Sequence, residues 1–108
     1  MMRVGIIGAM DVEVTSIKER MAIDKIEQVG DNTYCLGEIG DTEVVVARCG
    51  IGKVNAAICT QILISEFQAE AILNTGTAGG LHESLHIFDM VVSTDAVQYD
   101  VHASVFGY

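Results

Sequence analysis

Glu13 is the side chain in this sequence best placed to do chemistry. It comes just after a short apolar run, residues 3–9, that ends in Gly8-Ala9, and it stands one helical turn from Met10. A carboxylate at such a position can accept a proton from an attacking water molecule. The alternative is a structural glutamate at a helix N-terminus, stabilised by the helix dipole. Without further information, the residues alone favour the structural role.

Three glycine-rich turns follow predicted strands. They are Gly8-Ala9-Met10, Gly50-Ile51-Gly52 and residues 75–80. Ligands of open α/β sheets bind beyond the carboxyl ends of the strands, and glycine lets the backbone approach a ligand closely. Each turn by itself is weak evidence, because glycine turns between strands and helices are common. None of them is a dinucleotide fingerprint or a P-loop, since Lys53 follows Gly52 too soon and no Ser or Thr comes next.

Hydrophobic periodicity predicts an α/β domain with a mixed central sheet flanked by helices. The predicted antiparallel meander ends in EVVVAR, residues 43–48, which is the most apolar of its strands and is expected to be the most central. The full predicted order is strand 3–9, a helix from Asp11, strands 26–29, 33–39 and 43–48, helix 54–67, strand 71–74 and strand 88–93, with 95–99 extending or neighbouring the last.

Composition excludes several classes of partner. Six basic and fifteen acidic residues give a net charge of −9, which repels nucleic acid and anionic membranes. No stretch reaches the about 18 apolar residues of a membrane span, and the N-terminal apolar run is too short for a signal peptide, so we expect a cytoplasmic protein. Cys35, Cys49 and Cys59 have no metal-type spacing. They are expected to be reduced and mostly buried, and neither a metal nor a cofactor is predicted.

Four strings together resemble the bacterial 5'-methylthioadenosine/S-adenosylhomocysteine nucleosidases. They are GIIGAMDVEV at 5–14, CGIGKVNAA at 49–57, LNTGTAGG at 73–80 and DMVVSTDAVQYDVHASVFGY at 89–108. The strings fall in the family's order and spacing and span almost the whole chain. The resemblance implies a phosphorylase/hydrolase-like α/β fold, a homodimer, and hydrolysis of the bond between adenine and ribose as part of methionine salvage.

The resemblance also assigns residues to the site. Glu13 matches the carboxylate that helps to activate the hydrolytic water, through an oxocarbenium-like state of the sugar. Phe106 matches an aromatic residue that reaches the partner subunit's 5'-substituent pocket. The other residues that match the family's substrate-binding positions are Met10, Ile51, Thr77, Ala78, Gly79 and Ala103.

Some features depart from the family. Cys49 and Thr77 stand where Ser is usual in the family. His102 replaces an acidic residue, and for this histidine a surface or packing role is favoured over a catalytic one. The family's proton donor to adenine comes from the C-terminal half. We therefore expect residues 1–108 to be the N-terminal part of a single nucleosidase domain, inactive without the other half.

Three alternatives remain. A purine nucleoside phosphorylase of the same fold would need a phosphate-binding cation after the first strand, where this sequence has Asp11 and Glu13 and the nearest cation is Lys18. A nucleosidase acting on aminodeoxyfutalosine is a closer rival. The third is a fragment that dimerises or binds ligand without catalysis.

Overall fold

A computed structural model describes residues 2–100 and 104–107. Within these ranges no helix is long and apolar enough to cross a lipid bilayer. The elements are β1 (Arg3–Gly8), α1 (Asp11–Arg20), β2 (Ala22–Val29), β3 (Asn32–Ile39), β4 (Thr42–Arg48), α2 (Lys53–Ser65), β5 (Ala71–Asn74) and a 3-10 turn (Ser104–Phe106).

One mixed sheet organises the first compact unit, Met1–Ala78. Its strand order is β2-β3-β4-β1-β5. The pairs β2–β3 and β3–β4 are antiparallel, whereas β1 runs parallel to both β4 and β5. The predicted meander and the mixed sheet are therefore confirmed, and so is the central position of EVVVAR, because β4 is the third of five strands.

Each face of the sheet is covered by one helix. Successive residues of a strand point to opposite faces, so Ile6 and Ile7 belong to different layers. The layer that α2 covers contains Ile7, Tyr34, Val45, Ala47, Cys49, Cys59, Leu63 and Phe67. The layer that α1 covers contains Ile6, Val14, Met21, Cys35, Val44 and Val46. In the sheet between these layers, β1 lies between β4 on one side and β5 on the other.

Some element boundaries differ from the prediction. β2 begins at Ala22 rather than Ile26, since most of this edge strand is exposed and its apolar residues do not mark its start. α2 ends at Ser65 rather than Phe67, and the chain then turns at Gln68, which has a φ of 53°. Phe67 is nevertheless buried, and its ring stacks on that of Tyr34 with centroids 4.9 Å apart.

The second unit, Gly79–Tyr108, corrects one prediction. Residues 88–93 do not form a strand, and neither do residues 95–99, in the part of this unit that the structure describes. Phe88 has a φ of 73°, which belongs to a turn rather than to an extended chain, and its side chain is fully exposed. An apolar run becomes a strand only when another strand satisfies its backbone, and residues 88–93 have no such partner within the described part of this unit.

Candidate active site

The three parallel strands bring three glycine-rich turns to one edge of the sheet. The N–H of Cys49 donates to the carbonyl oxygen of Gly8 at 2.9 Å, and the N–H of Thr75 donates to that of Ile7, also at 2.9 Å. These bonds continue the ladder just past the ends of β4 and β5. The turns after β1, β4 and β5 therefore start side by side, as the positions of their glycines predicted.

The start of α1 places Glu13 at this edge. Met10 is the N-cap residue, and its carbonyl oxygen accepts a hydrogen bond from the N–H of Glu13 at 3.0 Å. Oε2 of Glu13 in turn accepts a hydrogen bond of 3.3 Å from the N–H of Ala9. The half-buried carboxylate thus lies over the turn that follows β1. A carboxylate held in this way beside open chain ends can orient a water molecule and accept its proton.

Gly8 lets α1 approach the sheet closely. A Cβ atom at Gly8 would lie 2.8 Å from Cγ1 of Val14 and 3.1 Å from Cβ of Glu13. Val14 is fully buried, so it has no room to give way. The missing side chain at Gly8 therefore sets how near the first turn of α1, and with it Glu13, lies to the end of β1.

Cys49 is a protonated thiol near the carboxylate. Its side chain is buried, and Sγ donates to the carbonyl oxygen of Gly50 at 3.2 Å. Burial raises the pKa of Cys49, and the negative charge of Glu13 raises this pKa further. Because the thiolate is the reactive form, Cys49 is unsuited to be a nucleophile and fits the role of a small turn residue.

An ion pair at the same edge was not predicted. Nε of Arg48 lies 3.6 Å from Oδ1 of Asp11, and both side chains are well exposed. Sequence distance had made Lys18 the nearest cation to the first turn, but β4 pairs with β1 so that Arg48 stands opposite Gly8. The one indication in the sequence that Arg48 would lie near the first turn of α1 was its place at the end of the strand predicted to be the most central.

The predicted substrate-binding residues fall into three groups. Met10 and Ile51 lie in the turns after β1 and β4, with exposed fractions of 40% and 74%. Thr77 and Ala78 are exposed and follow Gly76 in the turn after β5. Gly79 and Phe106 belong to the second unit, where the backbone of Phe106 closes the 3-10 turn. Ala103 and His102 lie outside the described residues.

Two further observations on the described residues concern metal binding and a cleft away from Glu13. No group of three His, Cys, Asp or Glu side chains there could hold a metal ion. A cleft of about 210 Å³ lies at the opposite end of β1, where Arg3 is held by Glu43 at 3.3 Å and by the carbonyl oxygen of Phe67 at 2.7 Å. The carboxylate of Glu13 instead lies on an open surface at the strand ends.

Known proteins resemble the chain over its whole length. A 5'-methylthioadenosine/S-adenosylhomocysteine nucleosidase of Halalkalibacterium halodurans is 47% identical over 108 residues, which are 100% of this chain and 47% of that protein. The chain thus spans about half the length of the curated relatives it matches.

Solved structures share the fold. A 5'-methylthioadenosine/S-adenosylhomocysteine nucleosidase of Colwellia psychrerythraea, solved in complex with adenine, is 43% identical with a TM-score of 0.93, over 99% of this chain and 44% of that one. The futalosine hydrolase of Helicobacter pylori is 35% identical with a TM-score of 0.88, over 99% of this chain and 46% of that one. The described strands and helices therefore form part of the nucleosidase fold.

The family model of the phosphorylase superfamily matches residues 3–108. Because this match covers nearly every residue, the chain belongs to the phosphorylase superfamily.

Proposed function

We propose that the protein containing this chain hydrolyses the N-glycosidic bond of 5'-methylthioadenosine and S-adenosylhomocysteine, releasing adenine and a thioribose product. The observation that carries the proposal is the carboxylate of Glu13, held by the N–H of Ala9 where three parallel strands end. The relatives of the same fold that carry this activity in their names support it.

Glu13 has a defined part in the proposed reaction. The bond between the anomeric carbon and adenine lengthens first, which leaves positive charge on the sugar. Water then attacks the anomeric carbon, and the carboxylate of Glu13 accepts a proton from that water. The electrons of the broken bond stay on adenine, which takes up a proton from a separate acid.

The proposal assigns the remaining roles by resemblance. Met10 and Ile51 line the region of the ribose and its 5'-substituent, Thr77 lies beside the ribose and the base, and Ala103 borders the base. Phe106 contributes to the 5'-substituent pocket of a second subunit. Ala78 and Gly79 bind substrate beside Thr77. An apolar 5' pocket would select alkylthio groups over polar ones.

A second half of the domain completes the proposed site. We assign the acid that protonates adenine to that half, with residues 1–108 as the N-terminal part of a single domain. The length of the matched relatives supports this division, because each extends well beyond the matched region. On this proposal the present chain alone does not turn over substrate.

The phosphorylase alternative is weakened by the acidic side chains at the strand ends. A phosphorylase needs cations for phosphate, whereas Arg48 shares this edge with two carboxylates and lies 3.6 Å from that of Asp11. Phosphate would also approach the negative charge of Glu13. Water is therefore the better nucleophile for this edge. The cytoplasmic role in methionine salvage that we also propose comes from the resemblance to the nucleosidases.

Product analysis of the complete protein tests the proposal. With 5'-methylthioadenosine as substrate, we expect adenine and free methylthioribose at a rate that added phosphate does not change. Formation of a sugar 1-phosphate, or a rate that depends on phosphate, would overturn it. Aminodeoxyfutalosine belongs in the same assay, because the similarity to a futalosine hydrolase makes it the nearest competing substrate.

A further inference from the structure

Gly76 lies against the carboxylate of Glu13. A Cβ atom built on Gly76 would be 2.6 Å from Oε2, 3.4 Å from Cδ and 3.9 Å from Oε1 of Glu13, whereas ordinary van der Waals contact begins at 3.4 Å. The contact is fixed by the sheet, because Thr75, the preceding residue, is hydrogen-bonded to Ile7 of β1. A side chain at position 76 would therefore occupy the place where the carboxylate lies.

The backbone does not explain this glycine. Gly50 and Gly52 have φ angles of 87° and 99°, which L residues rarely adopt, but Gly76 has no such left-handed angle. Position 76 is exposed, and the three heavy atoms nearest to an added Cβ all belong to the carboxyl group of Glu13. What the absent side chain provides is space for one carboxylate.

We infer that Gly76 is a positioning residue for Glu13. Because Gly76 has no side chain, the carboxylate of Glu13 has room to accept the hydrogen bond from the N–H of Ala9. The inference rests on the proposed function for its effect on catalysis, but its geometric part does not. A methyl group at position 76 meets the far end of a flexible side chain, which can move, so the fold tolerates it. The carboxylate is displaced from Ala9 and from the water that it is proposed to orient.

Gly76→Ala in the complete protein tests the inference by two readouts. The first is the amide resonance of Ala9 in a ¹H–¹⁵N spectrum, which we expect to move in both Gly76→Ala and Glu13→Gln, because both disturb the same hydrogen bond. The second is steady-state kinetics. We expect kcat to fall at least about tenfold with KM within about twofold, because a small misplacement of a catalytic group is costly.

Gly80→Ala is the matched control for the spectrum. A Cβ there would make ordinary contacts with Leu85, 3.4 and 3.5 Å away, and it should leave the Ala9 resonance in place. Both glycine variants should melt within about 2 °C of the parent protein, which corresponds to a small change in stability.

The outcomes separate the inference from the proposed function. An unmoved Ala9 resonance in Gly76→Ala overturns the inference whatever the activity. A loss of kcat in Glu13→Gln without one in Gly76→Ala also overturns it. If the resonance moves in both variants while kcat changes in neither, Gly76 does position the carboxylate, and it is the proposed use of Glu13 in catalysis that fails.

Discussion

At the scale of single residues, the candidate site is built from backbone and glycine around one carboxylate. Glu13 is held by a main-chain N–H, its helix is brought close by Gly8, and Gly76 leaves room for its oxygens. Such an arrangement fixes the direction of the carboxylate while it leaves a face open to solvent. This suits a group whose proposed partner is a water molecule.

Local order in the sequence was enough to predict where Glu13 lies. An apolar run, a Gly-Ala turn and an acidic helix start place a carboxylate at a strand end whatever the rest of the fold does. The contacts with Gly76 and the Asp11–Arg48 pair could not be predicted in this way, because they depend on which strands become neighbours. The substrate-binding roles of Met10, Ile51, Thr77 and the others remain predictions.

At the scale of elements, prediction succeeded for the apolar runs that find partner strands in the sheet. β1, β4 and β5 are short apolar runs bounded by turns, and β4 lies at the centre as its composition indicated. It failed for residues 88–93, whose pattern is equally apolar. Strand formation depends on a partner strand as well as on pattern, so the same composition gives an exposed, irregular segment in the second unit.

Helix α2 presents an apolar outer face, for which we propose a second copy of the protein as partner. Val54 and Ile58 stand one turn apart and are 73% and 51% exposed. The nucleosidase resemblance implies a homodimer, and an apolar helix face suits a contact with a second copy. In the complete protein, Ile58→Glu should weaken dimerisation at least about tenfold, because a charge would be buried in the interface.

Sedimentation over a concentration series measures this effect. Ile26→Glu makes the same substitution at an exposed isoleucine of the edge strand β2, and it should leave the dimer intact. A wild-type protein that is monomeric at all concentrations would contradict the proposal. So would equal dimerisation of the Ile58→Glu variant and its parent.

At the scale of the whole molecule, one buried tyrosine hydroxyl and two buried thiols make the stability of the fold depend on pH in the alkaline range. Burial is the largest cause that raises the pKa of Tyr34, of Cys49 and of Cys59. The folded state therefore holds these protons more tightly than the unfolded chain does. The stability that they contribute is complete below their ordinary pKa values of 9.0 for the thiols and 10.0 for the tyrosine, and it is lost as the pH rises beyond them.

The melting temperature should therefore fall steadily above pH 9. The expected loss is on the order of 1 kcal/mol per pH unit for each group that is still protonated only in the folded state. Tyr34→Phe removes one of the three groups, whose hydroxyl is buried in the core. Its melting temperature should depend less on pH above 10. Thermal melts that are identical at pH 7.5 and 10.5 would refute this account of the core.

The central claim is that the carboxylate of Glu13 activates water, and turnover of 5'-methylthioadenosine by Glu13→Gln in the complete protein tests it most directly. The amide keeps the size of the side chain but cannot accept the proton, so kcat should fall by about 10²-fold or more while adenine still binds. Asp11→Asn makes the same chemical change in the same helical turn, at an exposed carboxylate paired with Arg48, and should stay within about threefold of the parent. A Glu13→Gln enzyme within about threefold of the parent would remove Glu13 from the mechanism and contradict the claim.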